Sequence, residues 1–459
     1  MKSAWGSPSV LPPSFRSARR AEARSQAGRL GPPRSFFAVA ALFSSSLCLL
    51  AAQPKPALNS NEHWVTTWAT AQALAPVPEI GGAPQRQDTS QNRAPSPTGN
   101  IPQTLKNQTV RMVVRTSLGG RRVRVQLSNA LGSTALSIGA AHIAVRQKDD
   151  AVVPASDRVL TYGGRASFRI PPGALIVSDP VDLDVPKLAD VAVSLYLPED
   201  TGPPTVHALG LHTTYIADGD ASGNPTLGPS ATTTAYFWLS SVDILAPFSA
   251  AVIVAFGDSI TDGFATTVNK DLAWSALLAK RLAANKSTEM LGVVNLGISG
   301  NRVLRDVVGT NALARFDRDV LSRNGVRWMT LLEGINDITF SAIPGLSGEA
   351  VTAEDLIWGY RQIIERAHLH GIKVAGATIM PVEGVPTYRE SGESVREAVN
   401  QWIRTSKAFD AVIDFDALVR DPSDAKRLRA EFDSGDHVHP NDAGNQAMAD
   451  AIDLSTFLK

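Results

Sequence analysis

Four short polar segments hold the side chains whose types and spacing are best suited to chemistry. The first, residues 257–263, follows the apolar run Ala251–Phe256 and contains Ser259. A serine at the end of a buried strand, beside a glycine that permits a sharp turn, is well placed to act as a nucleophile. Taken alone, Ser259 fits a helix N-cap equally well. Thr261 stands where a Gly-x-Ser-x-Gly motif has its second glycine, which argues against an ordinary α/β-hydrolase nucleophile elbow.

The second and third segments supply neutral hydrogen-bond donors, each after a further candidate strand. Residues 295–302 contain Gly300, whose backbone N–H can bind a developing oxyanion. Residues 333–337 contain Asn336, whose side-chain amide can do the same. Both also have a purely structural interpretation, because glycines form turns and loop asparagines often satisfy their own backbone.

The fourth segment, residues 436–442, precedes the last candidate helix and contains Asp436, His437 and His439. His439 can act as a general base, and Asp436 can orient its ring and stabilise the imidazolium. The same spacing permits part of a metal site built on Asp436, His437 and His439. No other segment supplies an equally clear further ligand, so we favour the acid–base interpretation.

The elements predicted around these segments alternate between strands and helices. A continuous apolar run such as Ala251–Phe256 is typical of a strand buried on both faces of a parallel sheet. Further strands are predicted at 293–296, 328–332, 374–379 and 411–414, and helices at 272–282, 353–370 and 394–405. This alternation predicts an α/β domain over residues 249–459, with the polar segments after its strands or before its last helix.

Residues 108–248 show a two-residue periodicity that predicts a β-sandwich-like accessory domain. Val123, Val125 and Leu127 alternate with polar side chains, as in a half-buried strand. Gly/Pro turns separate strand candidates at 110–116, 121–128, 138–146, 166–170, 191–197, 212–216 and 235–242. Gly119-Gly120, between the first two candidates, predicts a tight hairpin.

The N-terminal residues carry targeting and loop signals. Residues 1–52 combine a basic stretch with a short apolar core at 36–52, as in a secretory signal peptide, and an uncleaved membrane anchor is the alternative. Residues 53–107 form a loop-rich segment with one candidate strand at 63–69, whose tryptophans we interpret as packing residues. We therefore expect a secreted or periplasmic protein, or one anchored through residues 36–52.

Composition restricts the function further. The 459 residues include 44 basic and 44 acidic side chains, so no net charge favours nucleic acid or an anionic membrane. Cys48, the one cysteine, lies in the candidate signal. A cleaved chain would therefore have no disulfide, no cysteine nucleophile and no thiolate zinc site.

In their order and placement, the four segments resemble the motif blocks of the SGNH hydrolases, also called the GDSL esterase/lipase superfamily. The resemblance covers approximately residues 250–459, and the β region is similar to the accessory sandwich of longer bacterial relatives. The first block has Gly-Asp-Ser-Ile rather than Gly-Asp-Ser-Leu, an apolar-for-apolar change. The fold implied is a flavodoxin-like three-layer α/β domain with a parallel sheet, preceded by an all-β sandwich-like domain.

The resemblance also implies roles for individual residues. Ser259 corresponds to the nucleophile, and Asp436 and His439 correspond to the family's Asp-x-x-His pair. The Ser259 N–H, the Gly300 N–H and the Asn336 side chain correspond to its oxyanion hole. No metal or other cofactor is required by this chemistry.

The function implied is hydrolysis of carboxylic esters through an acyl-enzyme intermediate. The substrate class stays open between a carbohydrate acetylesterase and a lipase or arylesterase. The lack of a long apolar lid-like stretch after residue 53 favours short acyl or acetyl esters. The alternative is an extracellular carbohydrate-binding protein with an inactive hydrolase domain. We expect a small-molecule or glycan ester as substrate, no nucleic acid, and no stable membrane partner after signal cleavage. The sequence does not indicate the oligomeric state.

Overall fold

The structure is a computed structural model that describes residues 61–74 and 101–459. The candidate signal or anchor, Cys48 and much of the loop-rich segment lie outside these residues. The described residues belong to one compact unit, Ala57–Lys459.

The N-terminal half of the described chain is a β region, broken by one 3-10 turn at Pro154–Ser156. Its strands are β1 (Glu62–Ala69), β2 (Ala73–Leu74), β3 (Gln108–Arg115), β4 (Gly120–Ser128), β5 (Leu136–Ile138), β6 (Ala140–Lys148), β7 (Ala151–Val152), β8 (Arg158–Val159), β9 (Phe168–Ile170), β10 (Leu175–Val177), β11 (Val181–Val185), β12 (Asp190–Leu197), β13 (Thr205–His207), β14 (Thr214–Asp218), β15 (Ala231–Thr233), β16 (Tyr236–Phe237) and β17 (Leu239–Pro247). The all-β character expected from the periodicity is confirmed.

Two antiparallel sheets make up most of the β region. One has the order β1-β17-β4-β10, with β11 also paired to β4, and the other has the order β15-β14-β3-β12-β6-β7, with β8 on β6. Val123, Val125 and Leu127 of β4 are completely buried, as their alternation predicts. They share one hydrophobic core with buried residues of β3 and β12 in the other sheet.

The predicted hairpin at Gly119-Gly120 is wrong, because β3 and β4 belong to different sheets. The chain passes between the sheets just before Gly119, where Thr116 donates to Ala189 and Ser117 donates to Thr67 of β1. The glycine instead serves a close backbone approach, since a Cβ at Gly119 would lie 2.7 Å from the Val185 carbonyl oxygen. The Gly-Gly pair reflects packing against a distant segment rather than a local turn.

The tryptophans of β1 are packing residues, as expected. The guanidinium of Arg124 lies over the Trp64 ring, 4.3 Å from the ring centroid. Trp68 meets Tyr236 edge-on at a centroid distance of 5.0 Å. Through β1, residues 61–74 are therefore part of the β region.

The C-terminal half is built on a parallel sheet. Its strands are β18 (Ala251–Gly257), β19 (Leu291–Gly297), β20 (Val326–Leu332), β21 (Lys373–Ala377) and β22 (Ala411–Ile413). Their order, β19-β18-β20-β21-β22, is the 2-1-3-4-5 order of flavodoxin-like sheets. Every residue of β18, which lies between β19 and β20, is buried, and this explains its continuous apolar sequence. The arrangement of helices in layers on both faces remains a prediction.

Helices connect these strands, as the helical spacing predicts. They are α1 (Ser259–Asp262), α2 (Trp274–Ala284), α3 (Ala312–Phe316), α4 (Ile335–Thr339), α5 (Ala353–Leu369), α6 (Glu390–Thr405), α7 (Phe415–Val419) and α8 (Asp442–Ala451). A π-helical turn follows α3 at Asp317–Leu321, and 3-10 turns lie at Phe340–Ala342, Ser347–Glu349 and Leu454–Leu458. Within residues 61–74 and 101–459, no helix has the length and apolar character needed to cross a membrane.

This topology brings the polar segments to one edge of the sheet. β18, β19 and β20 are adjacent and parallel, so the segments that begin at their carboxyl ends are neighbours in space. These are the segments that contain Ser259, Gly300 and Asn336.

Candidate active site

Ser259 is the first residue of α1 and lies two residues after the end of β18. Asp258 caps this short helix, and its Oδ1 accepts a hydrogen bond from the Ile260 N–H at 3.0 Å. Gly257 allows the strand to end here, because a Cβ at this position would lie 2.2 Å from the Leu332 carbonyl oxygen of β20. The turn thus presents Ser259 at the sheet edge while leaving only 5% of the residue exposed.

His439 and Asp436 reach Ser259 from the loop before α8. His439 Nε2 lies 2.7 Å from Ser259 Oγ, and His439 Nδ1 lies 2.7 Å from Asp436 Oδ2. Asp436 Oδ1 accepts hydrogen bonds from the backbone N–H groups of Val438 and His439. The structure therefore joins a serine, an imidazole and a carboxylate in one chain of hydrogen bonds.

The environment of Asp436 keeps its carboxyl group ionised. Burial opposes ionisation, but the hydrogen bond and charge of His439 and the two backbone donors hold its pKa well below the usual range. A carboxylate only accepts, so the His439 proton belongs on Nδ1, and Nε2 is left to accept from the Ser259 hydroxyl. Phe264 packs against the imidazole at a centroid distance of 4.3 Å.

Asn301, the residue that follows Gly300, connects Gly300 to Asn336. The Asn336 side-chain amide donates to the Asn301 carbonyl oxygen at 2.9 Å, so it lies beside the segment that carries Gly300. Gly300 has a left-handed φ of 80°, and a Cβ there would lie 2.9 Å from a Val308 methyl group. Within the described part of the chain, neither the Ser259 N–H nor the Gly300 N–H donates to another protein group.

The loop after β19 packs directly on the Ser259 turn. The Ile298 N–H donates to the Gly257 carbonyl oxygen at 3.0 Å. A Cβ at Gly297 would lie 2.3 Å from the Asp262 nitrogen, so only glycine permits this approach. The two segments that supply Ser259 and Gly300 are thereby held in contact.

Asp337 connects α4 to the same loop. Its carboxylate accepts hydrogen bonds from the Val303 and Leu304 N–H groups at 2.7 and 3.1 Å. Burial raises the pKa of Asp337 to about 6, although these two hydrogen bonds act in the opposite direction. Asp337 follows Asn336 directly, so the third segment supplies one amide toward Asn301 and one carboxyl toward the loop.

Arg315 is a structural residue of the site that the sequence analysis missed. It is completely buried, and its guanidinium donates to the Gly257 and Leu296 carbonyl oxygens and to the Asn301 side chain at 2.8–2.9 Å. One side chain thus ties together the ends of β18 and β19 and the residue that contacts Asn336. No sequence signal distinguishes it, because an arginine in a helical segment ordinarily faces water.

Two further carboxyl groups are buried close to Ser259. Burial raises the pKa of Asp258 to about 7, although the Ile260 N–H and the charges of His439 and Arg315 lower it. Burial and the neighbouring Asp258 also raise the pKa of Glu333 well above its usual range, against the charge of Arg315. Within the described chain neither Glu333 carboxyl oxygen accepts a hydrogen bond, and Arg315 Nη2 lies 3.6 Å away.

His437 is separated from the hydrogen-bonded chain that contains its neighbours. Its Nδ1 lies 2.7 Å from Asp433 Oδ2, and half of its side chain is exposed. The three side chains suggested as metal ligands, Asp436, His437 and His439, instead belong to two separate Asp–His pairs. These are Asp433–His437 and Asp436–His439. In the ranges that the structure describes, no group of three or more His, Cys, Asp or Glu side chains is arranged to hold a metal ion.

The sequence from residue 255 to residue 447 matches the model of the GDSL-like lipase/acylhydrolase family. This range includes Ser259, Gly300, Asn336, Asp436 and His439. The matched range, preceded by a largely β region, is therefore similar to GDSL-like lipase/acylhydrolase domains. This confirms the resemblance drawn from the four segments.

Solved structures also match a part of the chain. A lipolytic protein of the G-D-S-L family from Desulfitobacterium hafniense is 21% identical, with a TM-score of 0.34, over 44% of this chain and 97% of that one. An acetylxylan esterase from Geobacillus stearothermophilus, solved as a catalytic mutant, is 23% identical, with a TM-score of 0.36, over 45% and 94%. The aryl esterase of M. smegmatis is 18% identical, with a TM-score of 0.34, over 44% and 96%.

At these identities and TM-scores, the substrates of those enzymes say nothing about the substrate of this chain. No curated protein matches the chain significantly.

Proposed function

We propose that this protein is an exported serine esterase that hydrolyses short acyl or acetyl esters through an acyl-enzyme intermediate. The observation that carries the proposal is the 2.7 Å distance between Ser259 Oγ and His439 Nε2, with Asp436 on the other ring nitrogen. A hydroxyl paired with an imidazole that a carboxylate orients is the arrangement that activates a serine nucleophile.

In the first half of the reaction, Ser259 Oγ attacks the ester carbonyl carbon while His439 Nε2 takes the hydroxyl proton. The charge of Asp436 stabilises the imidazolium that results. His439 then gives the proton to the leaving alkoxide, and the acyl group stays on Ser259 as an ester. In the second half, water attacks this ester with His439 again as base, releasing the carboxylic acid and restoring Ser259.

The negative oxygen formed in each half needs donors that are already in place. The N–H groups of Ser259 and Gly300 and the second amide hydrogen of Asn336 are the groups proposed for this role. Two observations support this proposal. The loop that contains Gly300 packs on the Ser259 turn, and the Asn336 side chain is hydrogen-bonded to Asn301. Donors held in this way stabilise a transition state without reorganising during the reaction.

The proposal of short acyl groups rests on the lack of a long apolar lid-like stretch after residue 53. The leaving group is left open between a sugar hydroxyl and a simple alcohol or phenol. Export rests on the basic and apolar pattern of residues 1–52. N-terminal sequencing of the protein recovered outside the cytoplasm tests it, and recovery of an uncleaved membrane-bound chain would favour the anchor instead.

The central experiment measures turnover of p-nitrophenyl esters from acetate to palmitate, together with acetylated xylo-oligosaccharides, by the purified full chain. We expect the highest kcat/KM with the shortest acyl groups and labelling of Ser259 by a fluorophosphonate probe. Ser259→Ala should abolish both turnover and labelling while leaving the fold intact.

Ser434→Ala is a matched control, because Ser434 lies on the same loop as His439 and its hydroxyl has no partner in the described chain. It should retain normal turnover. Near-normal turnover by folded Ser259→Ala would overturn the nucleophile assignment. A wild-type chain that binds glycans but neither turns over esters nor reacts with the probe would support the inactive, carbohydrate-binding alternative.

A further inference from the structure

His207, at the end of β13 in the β region, lies against the turn that carries Ser259. It belongs to a segment of the β region, residues 207–213, that packs on α1 and the residues after it. A Cβ at Gly263, the residue that ends α1, would lie 2.8 Å from a Leu211 methyl group. Asn269, a few residues further on, donates through its backbone to the Leu211 carbonyl oxygen at 2.8 Å. The β region therefore touches the candidate active site directly.

Both ring nitrogens of His207 face groups that only accept hydrogen bonds. Nδ1 lies 2.8 Å from the Ala71 carbonyl oxygen. Nε2 lies 3.1 Å from the Leu209 carbonyl oxygen and 3.0 Å from Asp262 Oδ1. Because carbonyl oxygens cannot donate, these contacts favour a hydrogen on each ring nitrogen, which is the imidazolium form of His207.

The surroundings agree with this charge state. Burial lowers the pKa of His207, but the charge and hydrogen bond of Asp262 and the two carbonyl oxygens outweigh it, so the pKa is raised. Tyr236 of β16 also packs on the ring, at a centroid distance of 6.3 Å. Burial raises the pKa of Tyr236 well above its usual range, so it stays neutral and leaves Asp262 as the counter-ion.

Asp262 connects His207 to the loop that contains Gly300. One carboxyl oxygen faces His207, and the other accepts hydrogen bonds from the Ser299 N–H at 2.9 Å and the Ser299 hydroxyl at 2.7 Å. Ser299 directly precedes Gly300, whose N–H is proposed to bind the oxyanion. The side chain of Asp262 is only 4% exposed, so His207 and Ser299 take the place of water around it.

We propose that His207 is a positioning residue for catalysis, which holds Asp262 so that Asp262 holds the Ser299–Gly300 segment in place for the oxyanion. The β region is then part of the catalytic unit rather than an appended module. This inference rests on the proposed esterase function. It does not depend on the identity of the acyl group or the leaving alcohol.

The test replaces His207 by glutamine, which retains one amide donor but loses the charge and the second donor. Displacing a donor by about 1 Å can cost ~10²-fold in rate, so we expect His207→Gln to lower kcat by about 10-fold to 10²-fold. KM should change less than about 2-fold, because the ground-state carbonyl uses the oxyanion donors poorly. Activity is measured on the ester that the wild-type chain turns over best, and folding is checked by circular dichroism and Tm.

His212→Gln is the matched control. His212 lies in the same segment, is equally buried, and pairs with Asp271 at 2.8 Å, but Asp271 pairs in turn with Arg115 of the β region. Its replacement should lower Tm and leave kcat unchanged. An equal fall of kcat in both variants would show a general effect of the interface and overturn the role of His207.

A double-mutant cycle tests the route through Asp262. If His207 acts through this carboxylate, His207→Gln combined with Asp262→Asn should lose no more kcat than Asp262→Asn alone. Losses that multiply would contradict the route. If His207→Gln does not fold, Ser299→Ala tests the same route at its other end, where Asp262 contacts Ser299. We expect a lower kcat, and an unchanged kcat would overturn the proposal. A wild-type chain without esterase activity would instead be a failure of the proposed function, visible before any variant is made.

Discussion

Replacing Asn336 by alanine separates an oxyanion donor from a structural asparagine. Asn336 is 9% exposed at the start of α4, and one of its amide hydrogens bonds to the Asn301 carbonyl oxygen at 2.9 Å. The second hydrogen is the one proposed to bind the oxyanion. Asn336→Ala therefore removes two interactions, of which one affects the rate and the other affects stability.

The two effects have different sizes. Losing one oxyanion donor costs about 10²–10³-fold in kcat, or roughly 2.7–4 kcal/mol of transition-state stabilisation. Losing the bond to Asn301 leaves a buried carbonyl oxygen without that partner and costs about 1–3 kcal/mol of folding free energy. We expect a large fall in kcat, a small change in KM, and a Tm lower by at most several degrees.

The assay measures kcat, KM and Tm for Asn336→Ala and Asn336→Asp. The aspartate should be at least as damaging, since its carboxylate would repel the oxyanion. Thr339→Val is the matched control, because Thr339 lies in the same helix, is similarly buried, and donates one hydrogen bond to Ile335 at 2.9 Å. It should lower Tm without lowering kcat. A lowered Tm with unchanged kcat in Asn336→Ala would remove Asn336 from the catalytic set.

Two other substitutions test charges at the site. Asp436→Asn should lower kcat by about 10⁴-fold, because an amide can donate to His439 Nδ1 and so put the ring proton on the wrong nitrogen. It should also lower Tm, because the lowered pKa of Asp436 means that its ionised carboxylate stabilises the fold. Single-turnover acylation rates of the folded variant check the loss of rate, and a loss below tenfold would contradict it. Glu333 has a raised pKa in the folded state, so the folded chain holds its proton more tightly than the unfolded chain, and stability is lost as pH rises through the folded pKa. Glu333→Gln should therefore lose less Tm than the wild type between pH 5 and pH 8, and equal losses would show that Glu333 is not the group responsible.

Properties that depend on neighbouring residues were predicted well. The run Ala251–Phe256 is strand β18 with one more residue, and the helix predicted at 353–370 is α5, Ala353–Leu369. Burial of a strand or helix on one face or on both imposes a repeat of apolar residues, and this repeat can be recognised from the sequence of that element alone. The capping box of Thr352 and Asp355, which the sequence analysis did not name, is a local feature of the same kind, because it marks the start of α5 through residues three apart.

Properties that depend on distant segments were not predictable in the same way. Gly119-Gly120 has the composition of a hairpin turn, yet β3 and β4 pair with strands of different sheets. Arg315 and His207 give no local signal, because their roles arise from carbonyl oxygens and carboxylates that other parts of the chain bring to them. Strand pairing and burial of charge are properties of the assembled fold.

The candidate site combines both kinds of information. The residue types and their order along the chain, with Ser259 after a buried strand and Asp436 three residues before His439, carry the resemblance to the SGNH hydrolases, and that resemblance implies acyl transfer as the chemistry. Folding sets the 2.7 Å contact between Ser259 and His439, which are 180 residues apart, and the hydrogen-bond partners around the ring of His207. Hydrogen bonds act over about 3 Å and ionisation responds to desolvation, so both depend on which distant groups the packed chain places beside them.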